Sequence, residues 1–350
     1  MKIAYLIPSL KKCGPVNVMA NLATALAKDH EVYVYALNSG ALLEPLRKSG
    51  IITEVVSYRE MFSVAISSEY DVIHSHCLLP DIILSFASLF KYKENVTCTT
   101  IHNFIDVDYI LSKGRILGKV MGIVNRLAFS GIKVKIACSE SVKEYCKSKY
   151  KIEAYAICNG VERQNIPLMK DRKIKEYTDF YYLGVVNARK NVEPLLYSFT
   201  EYVRQGNNDR LHIIGEGPDL HILKKKYKSG NVLFHGKQEN PLNIIKNYDC
   251  YVSASKAEGC PLALLESLSL GNNYICSDIP PHQEIHQKIG EGVIVSVKHP
   301  DELVKAFEKI NYINQHENKT KSILEKFENN FSTEIMVGKY KKIYFDNFRE

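Results

Sequence analysis

The chain of 350 residues is longer than one hydrophobic core usually serves, so we expect two domains of about 150 residues each. Apolar residues at 45% and charged residues at 24% exclude a disordered or fibrous chain. The net charge of +7 suggests an anionic ligand or surface, but without any nucleic-acid-binding motif it does not favour DNA or RNA as a partner.

The cysteines and the apolar segments indicate a reduced, cytoplasmic protein. The nine cysteines form no CxxC, and several lie inside apolar runs, where a thiol acts as a small hydrophobe. The apolar stretch behind Met1 meets lysines and Gly-Pro instead of a cleavage site, so no signal peptide is expected. Residues 78–90 contain Asp81 and are too short to span a bilayer, so we predict a buried helix there.

Short β-rich runs alternate with helical patterns, which is typical of parallel sheets covered by crossover helices. After a polar interval at 165–178 the alternation begins again. We therefore predict an α/β fold with two doubly wound Rossmann-like domains, residues 1–168 and 169–332, facing each other across a cleft. The predicted strands are KIAYLI, EVYVYA, DVIHSH, VTCTTIH, VKIACS and AYAICN, then DFYYLG, RLHIIG, NVLFHG, DCYVSAS and NYICS.

Glycines follow several of these strands, where ligands collect in open parallel sheets. Gly14 and Pro15 open a helix behind the first strand, and the free N–H groups of such a start favour phosphate. A plain turn and cap would look the same. Gly215 and Gly217 in GEGP resemble the start of a dinucleotide fingerprint without its third glycine, and such a turn lets backbone approach a flat ligand such as a base.

Arg189 and Lys190 lie beside the start of a predicted helix for which Asn191 is a suitable N-cap. Cations next to the positive end of a helix dipole are unfavourable, so a shared anion such as pyrophosphate is the simplest reason to place them there. The alternative is solvated surface charge.

Two glutamates flank a second helix start. Glu258 follows the strand DCYV in a loop, and Pro261 is suited to begin the helix PLALLESLSL. Glu266 lies in the second turn and leans back toward the N-terminus, so both carboxylates could accept hydrogen bonds from the hydroxyls of a sugar nucleotide. In the structural alternative, Glu258 pairs with the helix dipole and Glu266 lies on a solvated face.

The order and spacing of these segments resemble retaining glycosyltransferases of the GT-B fold, notably glycosyltransferase family 4. AEGCPLALLES is similar to the EX7E motif of that family, and DVIHSH, TIHNF, ACSES, AICNGVE, YYLGVVNARKN, LHIIGEGP and NVLFHG precede it. The resemblance implies metal-independent transfer of a hexose, with retention of configuration, from a nucleotide diphosphate sugar to a hydroxyl. UDP is the commonest donor nucleotide of the family. The implied acceptor is a glycan or lipid-linked glycan in cell-surface polysaccharide synthesis, with no cofactor besides the donor substrate.

The resemblance also implies roles for individual residues. Glu258 would contact the transferred sugar, Glu266 the nucleotide ribose and Lys190 the diphosphate. His102 in TIHNF matches the active-site histidine near the donor sugar, so the expected catalytic residues are His102, Lys190 and Glu258. By the same resemblance, a helix at 333–350 would pack back on the first domain. The expected donor-binding residues are Gly14, Arg189, Gly215, Gly217, Gly259, Cys260, Pro261, Leu262 and Glu266.

Some positions depart from the family pattern. Val185 follows Gly184 where the family often has an arginine, and Arg189 could supply that charge from a different angle. The N-terminal Gly-Gly is reduced to Cys13-Gly14, and Cys260 replaces the commoner aromatic residue. Two alternatives therefore stay open: a nucleotide-sugar epimerase of the same fold, and a non-catalytic partner subunit that binds the nucleotide sugar.

Two further motifs suggest metal chemistry. Asp106 and Asp108 form a DxD, the manganese site of the other major glycosyltransferase fold, but nothing around them fits that fold. His282 and His286 resemble a zinc helix but lack the glutamate directly after the first histidine. We predict no metal site.

Residues 112–129 form a predicted amphipathic helix. Arg115, Lys119 and Arg126 share one side, and aliphatic residues occupy the other. Such a helix, within residues 112–135, could lie on an anionic membrane, so peripheral association with the inner face of the cell membrane is one expectation. The alternative is a core-packed helix with a basic outer face.

Overall fold

The computed structural model describes residues 1–90, 95–163 and 177–348. These residues form two compact α/β units. The first comprises Met1–Gly160 with Phe331–Glu350, and the second comprises Val161–Asn330, in each case as far as the residues are described. The predicted boundary between residues 168 and 169 lies outside the described residues.

A parallel sheet of seven strands forms the centre of the first unit. The strands are β1 (Lys2–Ile7), β2 (Glu31–Ala36), β3 (Ile52–Val55), β4 (Val72–His76), β5 (Val96–Ile101), β6 (Val134–Ala137) and β7 (Tyr155–Ala156). Their order is β3-β2-β1-β4-β5-β6-β7. The helices are α1 (Gly14–Leu26), α2 (Leu43–Lys48), α3 (Tyr58–Ile66), α4 (Leu78–Ala87), α5 (Ile105–Lys113), α6 (Arg115–Ser130) and α7 (Glu140–Tyr150).

The second unit has the same design around six parallel strands. These are β8 (Asp179–Leu183), β9 (Arg210–Ile214), β10 (Val232–Gly236), β11 (Cys250–Ser253), β12 (Asn273–Ser277) and β13 (Val293–Val295). Their order is β10-β9-β8-β11-β12-β13. The helices are α8 (Val192–Arg204), α9 (Leu220–Lys226), α10 (Leu242–Ile245), α11 (Leu262–Leu268), α12 (Pro280–Ile289), α13 (Pro300–His316) and α14 (Thr320–Phe331).

The prediction of two parallel-sheet α/β domains is confirmed. Every residue of β4, β5 and β12 is buried, so both faces of the central strands are covered. Strands of this kind read as nearly continuous apolar runs, which is why the sequence pattern identified them.

Each sheet contains a point at which the strand order reverses. β1 pairs with β2 on one side and β4 on the other, and β8 pairs with β9 and β11. Ligand-binding crevices form at such points, outside the carboxyl ends of the strands. In the second unit, the loops that follow β8 and β11 carry Lys190 and Glu258.

The last helix, α15 (Thr333–Phe348), belongs to the first unit. The hydroxyl of Tyr344 lies 2.6 Å from Nδ1 of His74 and 3.2 Å from the hydroxyl of Tyr5. The hydroxyl of Tyr340 lies 3.0 Å from Oγ1 of Thr100. All these side chains are buried, so the C-terminal helix is tied to β1, β4 and β5 by polar contacts inside the core.

Two local predictions were wrong. Residues 78–90 form α4 and a 3-10 turn at Ser88–Phe90, but Phe86, Leu89 and Phe90 are each more than half exposed. Only the stripe of Pro80, Asp81, Leu84 and Ala87 faces the interior. The predicted strand AYAICN is reduced to the two residues of β7, because only Tyr155 and Ala156 pair with β6.

Candidate active site

Three charged side chains meet at the strand-order reversal of the second unit. Glu258 is buried in the loop behind β11, and its carboxylate accepts hydrogen bonds from both cations of the loop behind β8. Nη1 of Arg189 lies 3.0 Å from Oε2, and Nζ of Lys190 donates to Oε1. Oγ of Ser255 also donates to Oε1, at 2.7 Å. Burial alone would raise the pKa of Glu258, but Lys190, Arg189 and the hydrogen bonds lower it to about 2.

The two loops are also joined through their backbones. Nη1 of Arg189 donates to the carbonyl of Ala257 at 2.8 Å, and the N–H of Lys256 donates to the carbonyl of Arg189 at 2.9 Å. Asn191 occupies the N-cap position of α8 but makes no capping hydrogen bond. It adopts the left-handed conformation with φ 53°, and its amide donates to the carbonyl of Ala254 at 3.1 Å. The predicted capping role of its side chain was therefore wrong, because that side chain joins the loops instead.

Glu266 lies in α11, which directly follows the Glu258 loop. Its carboxylate is partly buried and forms no ion pair or hydrogen bond with the described residues. Burial raises the pKa of Glu266 to about 7. The structure thus pairs Glu258 with Lys190 and leaves Glu266 outside that cluster, as an acid whose charge depends on pH near neutrality.

Gly215 and Gly217 lie against the protein's own backbone. A Cβ on Gly215, which has φ +141°, would lie 1.8 Å from the carbonyl oxygen of Gly184. A Cβ on Gly217 would lie 2.1 Å from the carbonyl oxygen of Val186. The N–H of Val186 donates to the carbonyl of Glu216 at 2.9 Å. These glycines therefore let two loops pack together, and the surface that GEGP presents at this contact is backbone rather than open space.

The turn before α11 is enclosed. Gly259, Cys260 and Pro261 are buried, and Pro261 is the N-cap residue of α11. Leu262 is the first helical residue and is half-buried. The turn holds the backbone behind Glu258 in place.

In the first unit, His102 follows β5 and is half-buried. Its Nε2 lies 2.8 Å from Nδ1 of His76, the last residue of β4. Burial lowers the pKa of His102 to about 3, so the ring is neutral at physiological pH. Gly14 begins α1, where Cys13 is the N-cap residue and makes no side-chain capping bond. The N-terminal N–H groups of α1 thus donate no hydrogen bond to the side chain of the cap residue.

The position at which the family often has an arginine is Val185, which is 52% exposed. Its carbonyl accepts a hydrogen bond from the Tyr182 hydroxyl at 2.9 Å. The nearby positive charge comes from Arg189, which points at Glu258.

The residues that suggested metal chemistry have other partners. Asp106 accepts hydrogen bonds from Tyr145 and, at 2.6 Å, from Lys149. His282 lies beside Ser277, and Nδ1 of His286 lies 2.8 Å from the hydroxyl of Tyr274. Within the three described segments, no group of three or more His, Cys, Asp or Glu side chains is placed to hold a metal ion.

The amphipathic region differs from its prediction. Gly114, at φ 85°, separates α5 from α6, so residues 112–129 are not one helix. A narrow stripe of α6 is buried, and a Cβ on Gly118 would lie 2.5 Å from the backbone nitrogen of Ile110 in α5. The aliphatic side points away from the unit and is exposed, which overturns the core-packed alternative. We call this exposed aliphatic side the α6 patch, and its residues are Ile116, Leu117, Val120, Ile123, Val124 and Leu127.

Sequence reasoning missed Ser255, the contact of His76 with His102 and the joining role of Asn191. Spacing along the chain gave no signal for the contact of Asn191 with Ala254, since 63 residues separate them. The HSH segment at the end of β4 was visible in the sequence, but only the strand pairing shows that His76 adjoins the strand before His102. No helix in the described part of the chain combines the length and apolar character needed to cross a bilayer.

Comparison with known proteins covers both units. The family model "Glycosyltransferase Family 4" matches residues 13–165, and "Glycosyl transferases group 1" matches residues 167–326. The O-antigen biosynthesis glycosyltransferase WclY of Escherichia coli is 23% identical across 100% of this chain and 99% of its own. A UDP-Gal:alpha-D-GlcNAc-diphosphoundecaprenol alpha-1,3-galactosyltransferase, also from Escherichia coli, is 22% identical over 86% of this chain and 81% of its own.

Solved structures agree in fold. The crystal structure of Anabaena Alr3699/HepE in complex with UDP-glucose has a TM-score of 0.81 at 14% identity, covering 99% of this chain and 100% of that one. The two sheets thus have the arrangement of strands found in GT-B glycosyltransferases. The two family models match consecutive parts of the chain, and together they cover residues 13–326 except residue 166. The chain therefore belongs to glycosyltransferase family 4 and is a glycosyltransferase of the GT-B type.

Proposed function

We propose that this glycosyltransferase moves a hexose from a nucleotide diphosphate sugar, with UDP as the nucleotide, to a hydroxyl of a glycan or lipid-linked glycan, with retention of configuration. The observation that carries the proposal is the buried cluster of Glu258 with Arg189 and Lys190. Burying a carboxylate beside two cations carries a desolvation cost, and charged groups with strongly shifted pKa values cluster at functional sites. The solved HepE complexes with UDP and UDP-glucose support uridine as the base.

The donor would enter the cluster by exchange. Its diphosphate takes the place of Glu258 beside Lys190 and Arg189, because phosphate oxygens accept the same charge-assisted hydrogen bonds. Glu258 then accepts hydrogen bonds from hydroxyls of the sugar. Glu266 accepts hydrogen bonds from the ribose. His102, a residue of the first unit, contacts the sugar.

Catalysis would be mainly electrostatic. The bond between the anomeric carbon and the diphosphate oxygen breaks, and the acceptor oxygen bonds to that carbon on the same face. The acceptor proton passes to the departing diphosphate oxygen, so no protein base is required. Lys190 and Arg189 stabilise the charge that develops on the diphosphate. In this proposal neither a metal ion nor a cofactor takes part.

The reaction is tested by supplying uridine, guanosine and adenosine diphosphate sugars with and without a diphosphoprenol-linked sugar as acceptor. We expect release of the nucleoside diphosphate that depends on the acceptor, and ¹H NMR should show a product with the anomeric configuration of the donor. An inverted product would contradict retention. Epimerised or hydrolysed donor in the absence of acceptor would favour the epimerase alternative, and no turnover with any donor would favour the non-catalytic one.

We further propose that the protein acts at an anionic membrane surface through the α6 patch. Ile116, Ile123 and Leu127 are 84%, 60% and 62% exposed, and Arg115, Lys119 and Arg126 line one side of the patch. An apolar stripe bordered by cations matches an interfacial helix, whose aliphatic side enters the headgroup region while the cations meet anionic lipid. The similarity to an enzyme that acts on a diphosphoundecaprenol-linked sugar supports a lipid-linked acceptor.

Vesicle flotation tests this surface. The protein should float with vesicles of phosphatidylglycerol and phosphatidylcholine and much less with phosphatidylcholine alone. The triple variant Arg115→Glu, Lys119→Glu, Arg126→Glu and the triple variant Ile116→Ser, Ile123→Ser, Leu127→Ser should both stay unbound. Ile222→Ser, which alters an exposed isoleucine of the second unit, is the matched control and should bind normally. Binding by either triple variant at the wild-type level would overturn the membrane proposal.

A further inference from the structure

His76 is a buried histidine that directly contacts the proposed sugar-binding histidine. Its Nδ1 lies 2.8 Å from Nε2 of His102, and the two rings stack with centroids 5.1 Å apart. The neighbouring His74 has a separate set of partners: its two ring nitrogens lie 2.6 Å from the Tyr344 hydroxyl and 2.9 Å from Oγ1 of Thr100. The contact between His76 and His102 is therefore a single hydrogen bond between two imidazoles.

Both imidazoles are neutral. Burial is the main cause that lowers the pKa of His76 well below its usual value, and burial lowers the pKa of His102 to about 3. A neutral imidazole carries one proton, so one ring nitrogen donates and the other accepts. Only one of the two facing nitrogens, Nδ1 of His76 or Nε2 of His102, can carry a proton. If the proton is on His76, then Nε2 of His102 accepts and the proton of His102 is on its Nδ1.

The surroundings of the other ring nitrogen of His76, Nε2, indicate which of the two facing nitrogens carries the proton. Nε2 of His76 is buried and has no hydrogen-bond partner among the described residues. If it carried the proton, a buried N–H group would be orphaned, which folded proteins tolerate less often than an unpaired acceptor. We infer that His76 is a positioning residue: it donates from Nδ1 to Nε2 of His102 and thereby fixes the proton of His102 on Nδ1.

The consequence concerns sugar recognition and rests on the proposed function. Nδ1 of His102 makes no hydrogen bond to the residues that the structure describes, so its proton is available to a ligand. A free neutral histidine side chain prefers its proton on Nε2. Without His76, nothing would fix the proton of His102 on Nδ1, so the ring would offer a sugar oxygen a donor in one tautomer and a lone pair in the other.

The tautomer is measured directly by ¹⁵N NMR of protein labelled at histidine, with His102→Gln used to assign the resonances. The wild-type protein should show the proton of His102 on Nδ1. His76→Asn keeps an amide donor near the position of Nδ1 and should preserve that tautomer. His76→Leu has a similar volume and no donor, so it should populate both tautomers of His102. A wild-type His102 with its proton on Nε2, or an unchanged tautomer in His76→Leu, would overturn the inference.

Binding measurements separate positioning from folding. His76→Leu should bind UDP-glucose about tenfold more weakly, as expected for the loss of one hydrogen bond to the sugar, and should bind UDP normally. His76→Asn should restore the affinity for UDP-glucose. Equal losses for both ligands, or in both variants, would mean a structural role and would overturn the positioning role. If no nucleotide sugar binds the wild-type protein, the proposed function fails, whereas the NMR result still decides the tautomer.

Discussion

At the scale of single residues, the central feature of the candidate site is one carboxylate that pairs with two cations. Glu258 is 6% exposed and accepts hydrogen bonds from Arg189, Lys190 and Ser255. Its pKa, lowered to about 2, keeps it ionised throughout the physiological range. The proposed exchange mechanism therefore predicts that an anionic ligand competes with Glu258 for Arg189 and Lys190.

Glu258→Gln should make this competition visible. Gln carries no charge to pair with Arg189 and Lys190, so we expect the variant to melt at a lower temperature without ligand, because two partly buried cations lose their counter-charge. UDP should then bind roughly tenfold more tightly than to the wild-type protein, since no carboxylate competes for the cations. Calorimetry and thermal unfolding measure the two effects.

The control for this variant is Glu193→Gln, which breaks an exposed ion pair with Lys226 in the same unit. It should change neither melting temperature nor UDP affinity appreciably, because exposed pairs contribute little. Weaker UDP binding by Glu258→Gln than by the wild-type protein would show that Glu258 does not compete with the diphosphate.

The proposed ribose contact of Glu266 predicts that donor binding depends on pH. Burial raises the pKa of Glu266 to about 7, so its carboxyl is mostly protonated below that pH when no ligand is bound. Ribose hydroxyls donate to the ionised form, so binding should release a proton, and UDP-glucose affinity should rise with pH until it levels off above the raised pKa. Calorimetry from about pH 5.5 to about pH 8, in buffers of different ionisation enthalpy, measures both quantities.

The same shift predicts a change in stability. Because the folded state holds the proton of Glu266 more tightly than the unfolded state, the contribution of Glu266 to stability is present below the unfolded pKa and is lost as pH rises through the folded pKa.

Glu266→Gln should abolish the pH dependence of UDP-glucose affinity. If that variant keeps the dependence, another group titrates.

At the scale of elements, α6 shows what helical periodicity in the sequence predicts and what it does not. The spacing of α6 predicted an aliphatic and a basic side, but not which side meets the domain. The deciding feature is the row of Gly118 and Gly122, whose lack of side chains lets α6 approach α5 closely. The aliphatic side of α6 is thereby left exposed. The amphipathic pattern alone would have assigned that side to the core.

The C-terminal helix depends on polar contacts within the core, so Tyr344→Phe should destabilise the first unit. The substitution removes a hydroxyl that bonds His74 and Tyr5 and leaves a buried ring nitrogen unpaired. We expect a loss of about 1–3 kcal/mol in the free energy of unfolding, measured with urea. Tyr312→Phe, at an exposed tyrosine of the second unit, is the control and should change stability little. Equal stability of the two variants would contradict the role of α15.

At the scale of the whole molecule, the alternation of runs predicted both parallel sheets because their central strands are buried on both faces. It missed β3, an edge strand with exposed residues, and β13, which has only three residues. The rule that ligands gather at carboxyl edges placed Lys190 and Glu258 on the same side of one sheet. It could not predict their ion pair, because 68 residues separate them and only the pairing of β8 with β11 brings their loops together.

The glycines of GEGP show the same limit. The sequence suggested that the turn at Gly215 and Gly217 lets backbone approach a flat ligand such as a base, and this stays a prediction. It could not show that the close neighbour is the loop at Gly184 and Val186, which follows a different strand.

Calorimetric titration tests the proposed diphosphate site most directly. The wild-type protein and Lys190→Ala are titrated with uridine, guanosine and adenosine diphosphate glucose. Lys226→Ala, at an exposed lysine of the same unit, is the matched control. We predict that the wild-type protein and Lys226→Ala bind the uridine donor alike. Lys190→Ala should bind it about 10- to 100-fold more weakly, as expected for the loss of a charge-assisted hydrogen bond. Equal affinity of Lys190→Ala and the wild-type protein, or no binding of any donor, would contradict the assignment of this cluster as the diphosphate site.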